Sequence, residues 1–142
     1  MNLYRKAEYY LHNYTRHRAR LTEAQERLTL LRESFDARAP NYAAPHTASG
    51  GHSDPVSSYV FLCITFEALT EKLTKYCEPV EALAEQIVRS RDYRAELWRA
   101  VMTLHYMNHM RLKDVAMHVR RHVSTIYRRR EELVKMMIEK IR

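Results

Sequence analysis

Apolar residues recur along the first part of the chain at alternating intervals of four and three residues. Ten positions follow this spacing, and nine of them are apolar or aromatic. They are Leu3, Ala7, Tyr10, Tyr14, His17, Leu21, Ala24, Leu28, Leu31 and Phe35. This alternation is the heptad pattern of a helix that packs against a partner helix. It predicts one long helix of about 50 Å, in which the polar His17 sets the register of packing.

A polar segment at about 38–58 interrupts this pattern and has the composition of a mobile linker. It contains three of the four prolines, both glycines and many Ser, Thr, Asn and His residues. A second heptad series then comprises Tyr59, Leu62, Phe66, Leu69, Leu73, Tyr76, Val80, Leu83 and Ile87. We therefore predict a coiled-coil-like helical hairpin over residues 1–91, paired within one chain or between chains. Pro79 is expected to kink or divide the second helix.

The second series also carries apolar residues outside its heptad positions. Between Tyr59 and Ala68 these additional residues are Val60, Phe61, Cys63 and Ile64. A single partner helix cannot cover so wide an apolar surface, which favours self-association into a homo-oligomer, with a dimer preferred. The alternative is that the C-terminal helices pack on this surface.

Residues 92–142 predict three helices around a shared core. Asp92 is expected to cap a helix from Tyr93 to about Met107. Two further helices are expected at Leu112 to about Val119 and at Val123 to about Ile141. The expected core residues are Leu97, Val101, Leu104, Leu112, Val115, Ala116, Val119, Ile126, Leu133 and Met137.

The last two of these helices are spaced as in a helix-turn-helix. Ala116 would lie where the two helices cross and only a small side chain fits, and Ile126 would hold the second helix on the first. The break between them falls at Arg120, Arg121 and His122. In such motifs the second helix enters the major groove of DNA. The predicted fold is therefore all-α, a long N-terminal hairpin followed by a three-helix helix-turn-helix domain at 92–142.

The distribution of charged residues also favours a DNA-binding helix-turn-helix. The segment from Met1 to Asp92 has 12 Lys and Arg against 12 Asp and Glu, whereas the segment from Tyr93 to Arg142 has 12 against 5. The C-terminal segment thus holds the whole net charge of +7. A basic module beside a neutral one indicates that the basic module binds a polyanion, here double-stranded DNA. The alternative is a basic face that contacts only solvent.

The candidate DNA-binding residues lie in the break and the start of the last helix. They are Arg120, Arg121, His122, Ser124, Thr125, Tyr127, Arg128, Arg129 and Arg130. Arg128 is the candidate for a bidentate guanine contact, while Ser124 and Tyr127 would contact bases or phosphates. The other four arginines are expected to contact phosphates and fix the register. Alternatively, some of the arginines pair with nearby acids, which are Asp114, Glu131 and Glu132.

The sequence gives little support for metal binding or catalysis. The pairs His105/His109 and His118/His122 have the spacing of metal ligands, but no carboxylate or cysteine completes a ligand set. We therefore predict no bound metal. We also predict no cofactor and no enzymatic activity, because no phosphate-binding glycine loop or nucleophile–base pair is present. Cys63 is expected to be a reduced core residue, as is Cys77. No apolar run has membrane-spanning length, and the expected location is the cytoplasm of a bacterial host.

The region from Asp92 onward resembles the promoter-recognition C-terminal domain of bacterial sigma factors. The matching frame is Tyr93, Leu97, Val101, Leu104 to Tyr106, Leu112 to Ala116, Val119, Ser124 to Arg128 and Leu133. The whole chain is similar to phage-encoded transcription regulators of the RinA/ArpU kind, in which a long N-terminal helix, a variable Gly/Ser-rich loop and a second helix precede the motif. This resemblance implies control of late genes on a phage or prophage.

The chain departs from that family at the turn, where Arg120, Arg121 and His122 replace a glycine, an aliphatic residue and a Ser/Thr cap. Without the glycine, a positive-φ position would be strained by about 1 kcal/mol, or the turn would be longer or differently shaped. Two alternative functions remain. One is a small-terminase-like DNA-packaging subunit, and the other is a helical adaptor whose basic C-terminus binds RNA polymerase.

Overall fold

The computed structural model describes residues 2–42 and 55–142, with side chains throughout except at residues 37–42. Every regular element in these ranges is a helix, which confirms the all-α prediction. The helices are α1 (Leu3–Tyr42), α2 (Pro55–Arg89), α3 (Ala95–Ala100), α4 (Leu112–Val119) and α5 (Val123–Ile141). A π-helical stretch at Val101–Met107 continues α3. None of the helices in the described part of the chain combines the length and apolar character needed to cross a membrane.

The expected linker at about 38–58 is helical at both ends. Helix α1 continues to Tyr42 and α2 begins at Pro55, so the predicted linker bounds are wrong there, and residues 43–54 lie outside the described residues. Extending an existing helix costs little once its first turn has formed, and proline is well suited to the first helical position. Nor is α2 divided at Pro79, since burial of Val80, Leu83 and Ile87 just beyond it stabilises the helix.

The described chain divides into two compact units. The larger unit comprises Met1–Arg18 and Lys75–Arg142, and the smaller unit comprises Ala19–Thr74. The segment after α2 is small, and about 50 residues bury little apolar surface by themselves. The ends of α1 and α2 supply the missing apolar layer.

The core of the larger unit contains residues from all five helices and the π-helical stretch. Its buried members include Ala7, Leu11, Val80, Leu83, Ile87, Trp98, Val101, Tyr106, Val115, Ile126, Leu133 and Met137. All ten core residues expected from the sequence are buried in this cluster or pack against it. Nine of them lie in the π-helical stretch, α4 and α5, and Leu97 lies in α3. The C-terminal helices thus form one core together with Ala7 and Leu11 of α1 and with the end of α2.

The smaller unit is held together by fewer buried residues. They are Leu21, Ala24, Leu28, Cys63 and Leu73. Arg32 donates a hydrogen bond of 2.6 Å to Glu67, and the rings of Phe35 and Tyr59 stack with centroids 3.9 Å apart. Several apolar residues of this unit remain exposed, among them Phe61 at 68% and Ile64 at 60%. Its surface therefore keeps the apolar character that the sequence indicated.

Candidate functional site

The break between α4 and α5 is a compact turn closed by backbone hydrogen bonds. Arg120 adopts the left-handed conformation, with φ 57° and ψ 46°. Its N–H donates to the carbonyl of Met117 at 3.3 Å, and the N–H of Arg121 donates to the carbonyl of Ala116 at 3.0 Å. This pair of bonds is the Schellman motif, which usually has glycine at the left-handed position. The expected strained position is therefore confirmed at Arg120, and the turn is not lengthened.

His122 begins α5 as its N-cap residue. Its Nδ1 accepts a hydrogen bond of 3.1 Å from the backbone N–H of Ser124, and the Ser124 hydroxyl lies 2.7 Å from the same nitrogen. A nitrogen that accepts the N–H bond carries no proton, so the Ser124 hydroxyl donates to it and the ring proton is on Nε2. The imidazole thus takes the role that Ser or Thr usually has at this position. The predicted start of α5 at Val123 is confirmed.

The first turns of α5 separate buried from exposed residues as the sequence indicated. Ile126, Leu133 and Met137 are fully buried, and Ala116 of α4 is buried among the same cluster. Opposite this buried side, a set of exposed residues forms what we call the basic face. It comprises Arg120, Arg121, His122, Ser124, Tyr127 and Arg128. Of the other predicted site residues, Thr125 is half-buried.

The basic face has positive charge that no carboxylate in the described residues neutralises. Arg111 pairs with Asp114 at 3.0 Å, but no ion pair of the described chain involves Arg120, Arg121 or Arg128. The surrounding unit is basic as well, with 19 Lys and Arg against 10 Asp and Glu, a net charge of +9. The smaller unit has 5 against 7, a net charge of −2. The structure therefore concentrates positive charge more strongly than the linear sequence does.

Arg129 is not on the basic face, although the sequence placed it among the phosphate contacts. Only 8% of this residue is exposed, and its guanidinium donates hydrogen bonds of 2.6 and 2.7 Å to the Glu132 carboxylate. Glu132 also accepts from the Trp98 indole at 2.9 Å and from Arg94 at 3.2 Å. Burial would raise the pKa of Glu132, but the bonds from Arg129 and Trp98 outweigh it and lower that pKa. Arg129 therefore pairs with an acid inside the protein, which is the alternative that the sequence left open.

Arg130 is also directed inward, into what we call the N-terminal clamp: Tyr4, Glu8, Tyr106, Arg130 and Glu131. The Arg130 guanidinium donates to the Tyr4 hydroxyl at 3.0 Å and lies 3.4 Å from Glu8. The Tyr4 hydroxyl donates to the Glu131 carboxylate at 2.7 Å, and the Tyr106 hydroxyl donates to Glu8 at 2.6 Å. The start of α1 is thereby bonded to α5 at Arg130 and Glu131, which lie just beyond the basic face along the helix.

The clamp changes the acidity of its members. Burial of Glu8 would raise its pKa, but hydrogen bonds with His12 and Tyr106 and the charge of Arg130 lower that pKa to about 2. Burial and the hydrogen bond to Glu131 raise the pKa of Tyr4 to about 12. Glu8 therefore remains a carboxylate, and Tyr4 remains a hydrogen-bond donor, over the whole physiological range.

Sequence reasoning missed the clamp residues of α1. Tyr4 and Glu8 are separated from Arg130 by more than 120 positions, and Glu8 is off the heptad series. The one available signal is local: Glu8 is the only acid among the first 20 residues, which hold five Lys and Arg. A lone acid in a basic segment is a candidate for a buried pairing role, since carboxylates are rarely buried without a partner.

The predicted start of the helix before the site is wrong by two residues. Asp92 does not cap a helix at Tyr93; α3 begins at Ala95, after Arg94. Asp92 instead accepts hydrogen bonds from the backbone N–H and the guanidinium of Arg94, at 2.9 and 2.8 Å. The bond to the backbone N–H is the one that an N-cap carboxylate makes, but residues 93–94 form a turn, closed by a 3.0 Å hydrogen bond from the Ala95 N–H to the Asp92 carbonyl, before α3 begins.

The histidine pairs do not assemble a metal site in the described part of the chain, where no group of three or more His, Cys, Asp and Glu is suitably placed. His105 binds the carbonyl of Met110 through Nδ1 at 2.7 Å, and burial lowers its pKa. His109 follows the π-helical stretch by two residues and has a positive φ of 58°. His17 is buried and stacks on Tyr76, with centroids 4.5 Å apart. Cys63 and Cys77 are free thiols and buried.

No family model, curated protein or solved structure matches the chain. Function must therefore be inferred from the geometry and charge of the basic face and of the helices that carry it.

Proposed function

We propose that the protein is a sequence-specific DNA-binding regulator of transcription, acting in a bacterial host on phage or prophage late genes. In this proposal α4 and α5 are a helix-turn-helix, and the start of α5 lies in the major groove. Arg128 reads a guanine, Ser124 and Tyr127 contact neighbouring bases or phosphates, and Arg120 and Arg121 hold phosphates.

The observation that carries the proposal is the basic face itself. Its arginines are exposed and have no carboxylate partner in the described chain, while the opposite side of α5 is buried in the core. Three exposed like charges on one small surface create a positive potential that attracts a polyanion. The capped start of α5 and the closed turn hold these side chains on a rigid support, as base contacts require. Arg129 and Arg130 support the helix instead of contacting DNA.

The two long helices are proposed to form a helical hairpin that makes the protein a homo-oligomer, with a dimer preferred. The exposed residues of α2 that support this are Val56, Val60, Phe61, Leu62 and Ile64. No residue from Pro55 to Phe66 has a formal charge, so two copies of this surface would meet without charge repulsion. A two-fold dimer would present two basic faces to two half-sites of an operator.

Binding to labelled DNA tests the proposal. Fluorescence anisotropy against a library of genomic duplexes is expected to give nanomolar affinity for a subset of fragments. That affinity should fall steeply with salt, because each neutralised phosphate releases counterions. Binding that ignores both sequence and salt would contradict the proposal.

Two substitutions separate base reading from phosphate contact. Arg128→Ala is expected to cost about 1–3 kcal/mol on the selected duplex and to relax the preference for it. Arg121→Ala should weaken binding to all duplexes about equally. Arg89→Ala is the matched control, since Arg89 is exposed and pairs with Glu85; its binding should equal that of the wild type.

Light scattering separates the alternatives. A ring of many subunits that binds DNA would favour a packaging subunit, whereas a dimer favours regulation. If the protein binds no duplex but co-purifies with RNA polymerase, it is a helical adaptor whose basic face binds the polymerase.

A further inference from the structure

The start of α1 contacts α5 at Arg130 and Glu131, just beyond the basic face, and is itself basic. Among residues 1–20 there are five Lys and Arg and the single acid Glu8. Glu8 is engaged by Tyr106, His12 and Arg130, and Arg18 pairs with Glu81 at 3.7 Å. Arg5 is exposed, and no carboxylate of the described chain pairs with it.

This end of α1 is an ordered support. Asn2 caps the helix, because its side-chain oxygen accepts a 2.7 Å hydrogen bond from the backbone N–H of Tyr4. The Tyr4 hydroxyl is then fixed between Glu131 and Arg130 at 2.7 and 3.0 Å. Arg5 follows Tyr4 in the same helical turn, so its backbone is held beside α5.

Glu131 links this turn of α1 to DNA binding. It lies three residues after Arg128, which places it on the same side of α5 as the basic face. A free carboxylate there would repel phosphates. The hydrogen bond from Tyr4 draws this carboxylate toward α1, where Arg130 also binds the Tyr4 hydroxyl.

We propose that the first two turns of α1 are a second phosphate-binding surface for the same duplex, in which Arg5 contacts the DNA backbone and Tyr4 holds Glu131 away from it. This inference rests on the proposed function and extends it, because the two chain ends would then share one DNA footprint. Arg5 adds affinity without reading sequence, and Tyr4 is a positioning residue that acts through Glu131.

The test of Arg5 is the salt dependence of binding to two labelled duplexes of about 30 base pairs, roughly three helical turns. One is the fragment selected from the genomic library, and the other has a mixed sequence. Arg5→Gln should lower the slope of log affinity against log salt by about 0.9 on both, so that the wild type loses about 3.5-fold more affinity between 50 and 200 mM salt. The ratio of affinities for the two duplexes should stay the same.

Arg27→Gln is the matched control, because Arg27 is also exposed on α1 but pairs with Glu23 at 2.9 Å. Its slope should equal that of the wild type. An Arg5→Gln slope equal to that of Arg27→Gln would overturn the inference while leaving the proposed function intact. A wild-type protein that binds neither duplex would overturn both.

The test of Tyr4 is rescue by charge removal. Tyr4→Phe removes the hydroxyl that engages Glu131, and binding to both duplexes should weaken by about fivefold. Glu131→Gln in the Tyr4→Phe background should restore it, since the amide has no charge to repel phosphate. If the double variant binds as weakly as Tyr4→Phe alone, Tyr4 has a purely structural role and this part of the inference is wrong.

Discussion

The larger and smaller units share the two long helices α1 and α2, yet they differ in both burial and charge. Of the twelve largest fully buried side chains in the described chain, Leu21 alone belongs to the smaller unit. The larger unit has a net charge of +9 and the smaller unit −2. The larger unit buries most of the large apolar side chains and has arginines on its surface. Exposed apolar side chains occur in both units, among them Tyr93 and Met117 in the larger unit, but five in the smaller unit lie within one segment of α2, at Val56, Val60, Phe61, Leu62 and Ile64. The first arrangement suits binding of a polyanion, and the second suits contact with another protein surface.

The largest expected effect is the loss of a core side chain from the larger unit. Ile126→Ala removes a fully buried side chain at the contact of α4 and α5, and it should lower the free energy of unfolding by about 2–5 kcal/mol. Urea denaturation followed by the fluorescence of the single Trp98 would measure this. The exposed Val88 provides a control, since Val88→Ala should change the free energy by less than about 0.5 kcal/mol. Equal effects for both would contradict the assigned core.

Acid should weaken the larger unit through Glu8. The pKa of Glu8 falls from an ordinary 4.5 to about 2 on folding, so its contribution is complete above pH 4.5 and is lost as pH falls from about 4.5 to about 2. That contribution is about 3 kcal/mol at most. Glu8→Gln should therefore be less stable than the wild type at neutral pH and nearly equal to it near pH 2.

Urea unfolding at a series of pH values would measure the difference between the two proteins. Glu23→Gln in the smaller unit is the control, because Glu23 is exposed and pairs with Arg27; its effect should be under about 0.5 kcal/mol at every pH. A Glu8→Gln difference that is independent of pH would contradict the role of the clamp.

Self-association should depend on the smaller unit. Phe61→Ser removes the most exposed apolar ring of α2 and should weaken association by about tenfold or more, with little change in the stability of the monomer. Sedimentation equilibrium would measure it. Val88→Ser removes a similarly exposed apolar residue of the larger unit and should leave association unchanged. If only the Val88→Ser variant lost association, the interface would lie on the larger unit instead.

The smallest expected effect is at the turn. Arg120→Gly relieves the positive φ of 57° and should raise the free energy of unfolding by about 0.5–1 kcal/mol, while the salt slope of DNA binding falls by about one phosphate. Arg120→Gln is the control that removes the charge and keeps the strain, so it should lower the slope without raising stability. A gain in stability for both variants would contradict the strain at Arg120.

The sequence predicted α4 and α5 well because their boundaries are determined locally. Apolar spacing places Ala116, Ile126, Leu133 and Met137 on one side, and the missing glycine predicted the strained residue at Arg120. These features depend on neighbours within one or two helical turns.

The roles of individual arginines depend on partners distant in the chain and could be predicted only in part. Arg129 pairs with Glu132 three positions away, an alternative that the sequence left open. Arg130 is engaged by Tyr4 and Glu8 of α1; the sequence marks Glu8 as a lone acid but does not indicate its partner. The same long-range packing joins the start of α1 and the end of α2 to the C-terminal helices in one core, which periodicity along the chain does not reveal.

The π-helical stretch at Val101–Met107 has a consequence for changes in chain length. The hydrogen bond from the Asn108 N–H to the Thr103 carbonyl spans five residues, so this stretch holds one residue more than an α-helix between the same ends. Removing one residue there would leave a regular α-helix in place of the widened turn. The stretch is therefore where the chain would absorb a single-residue deletion at the least cost to backbone hydrogen bonding. That deletion would still change the position of Tyr106, whose hydroxyl binds Glu8.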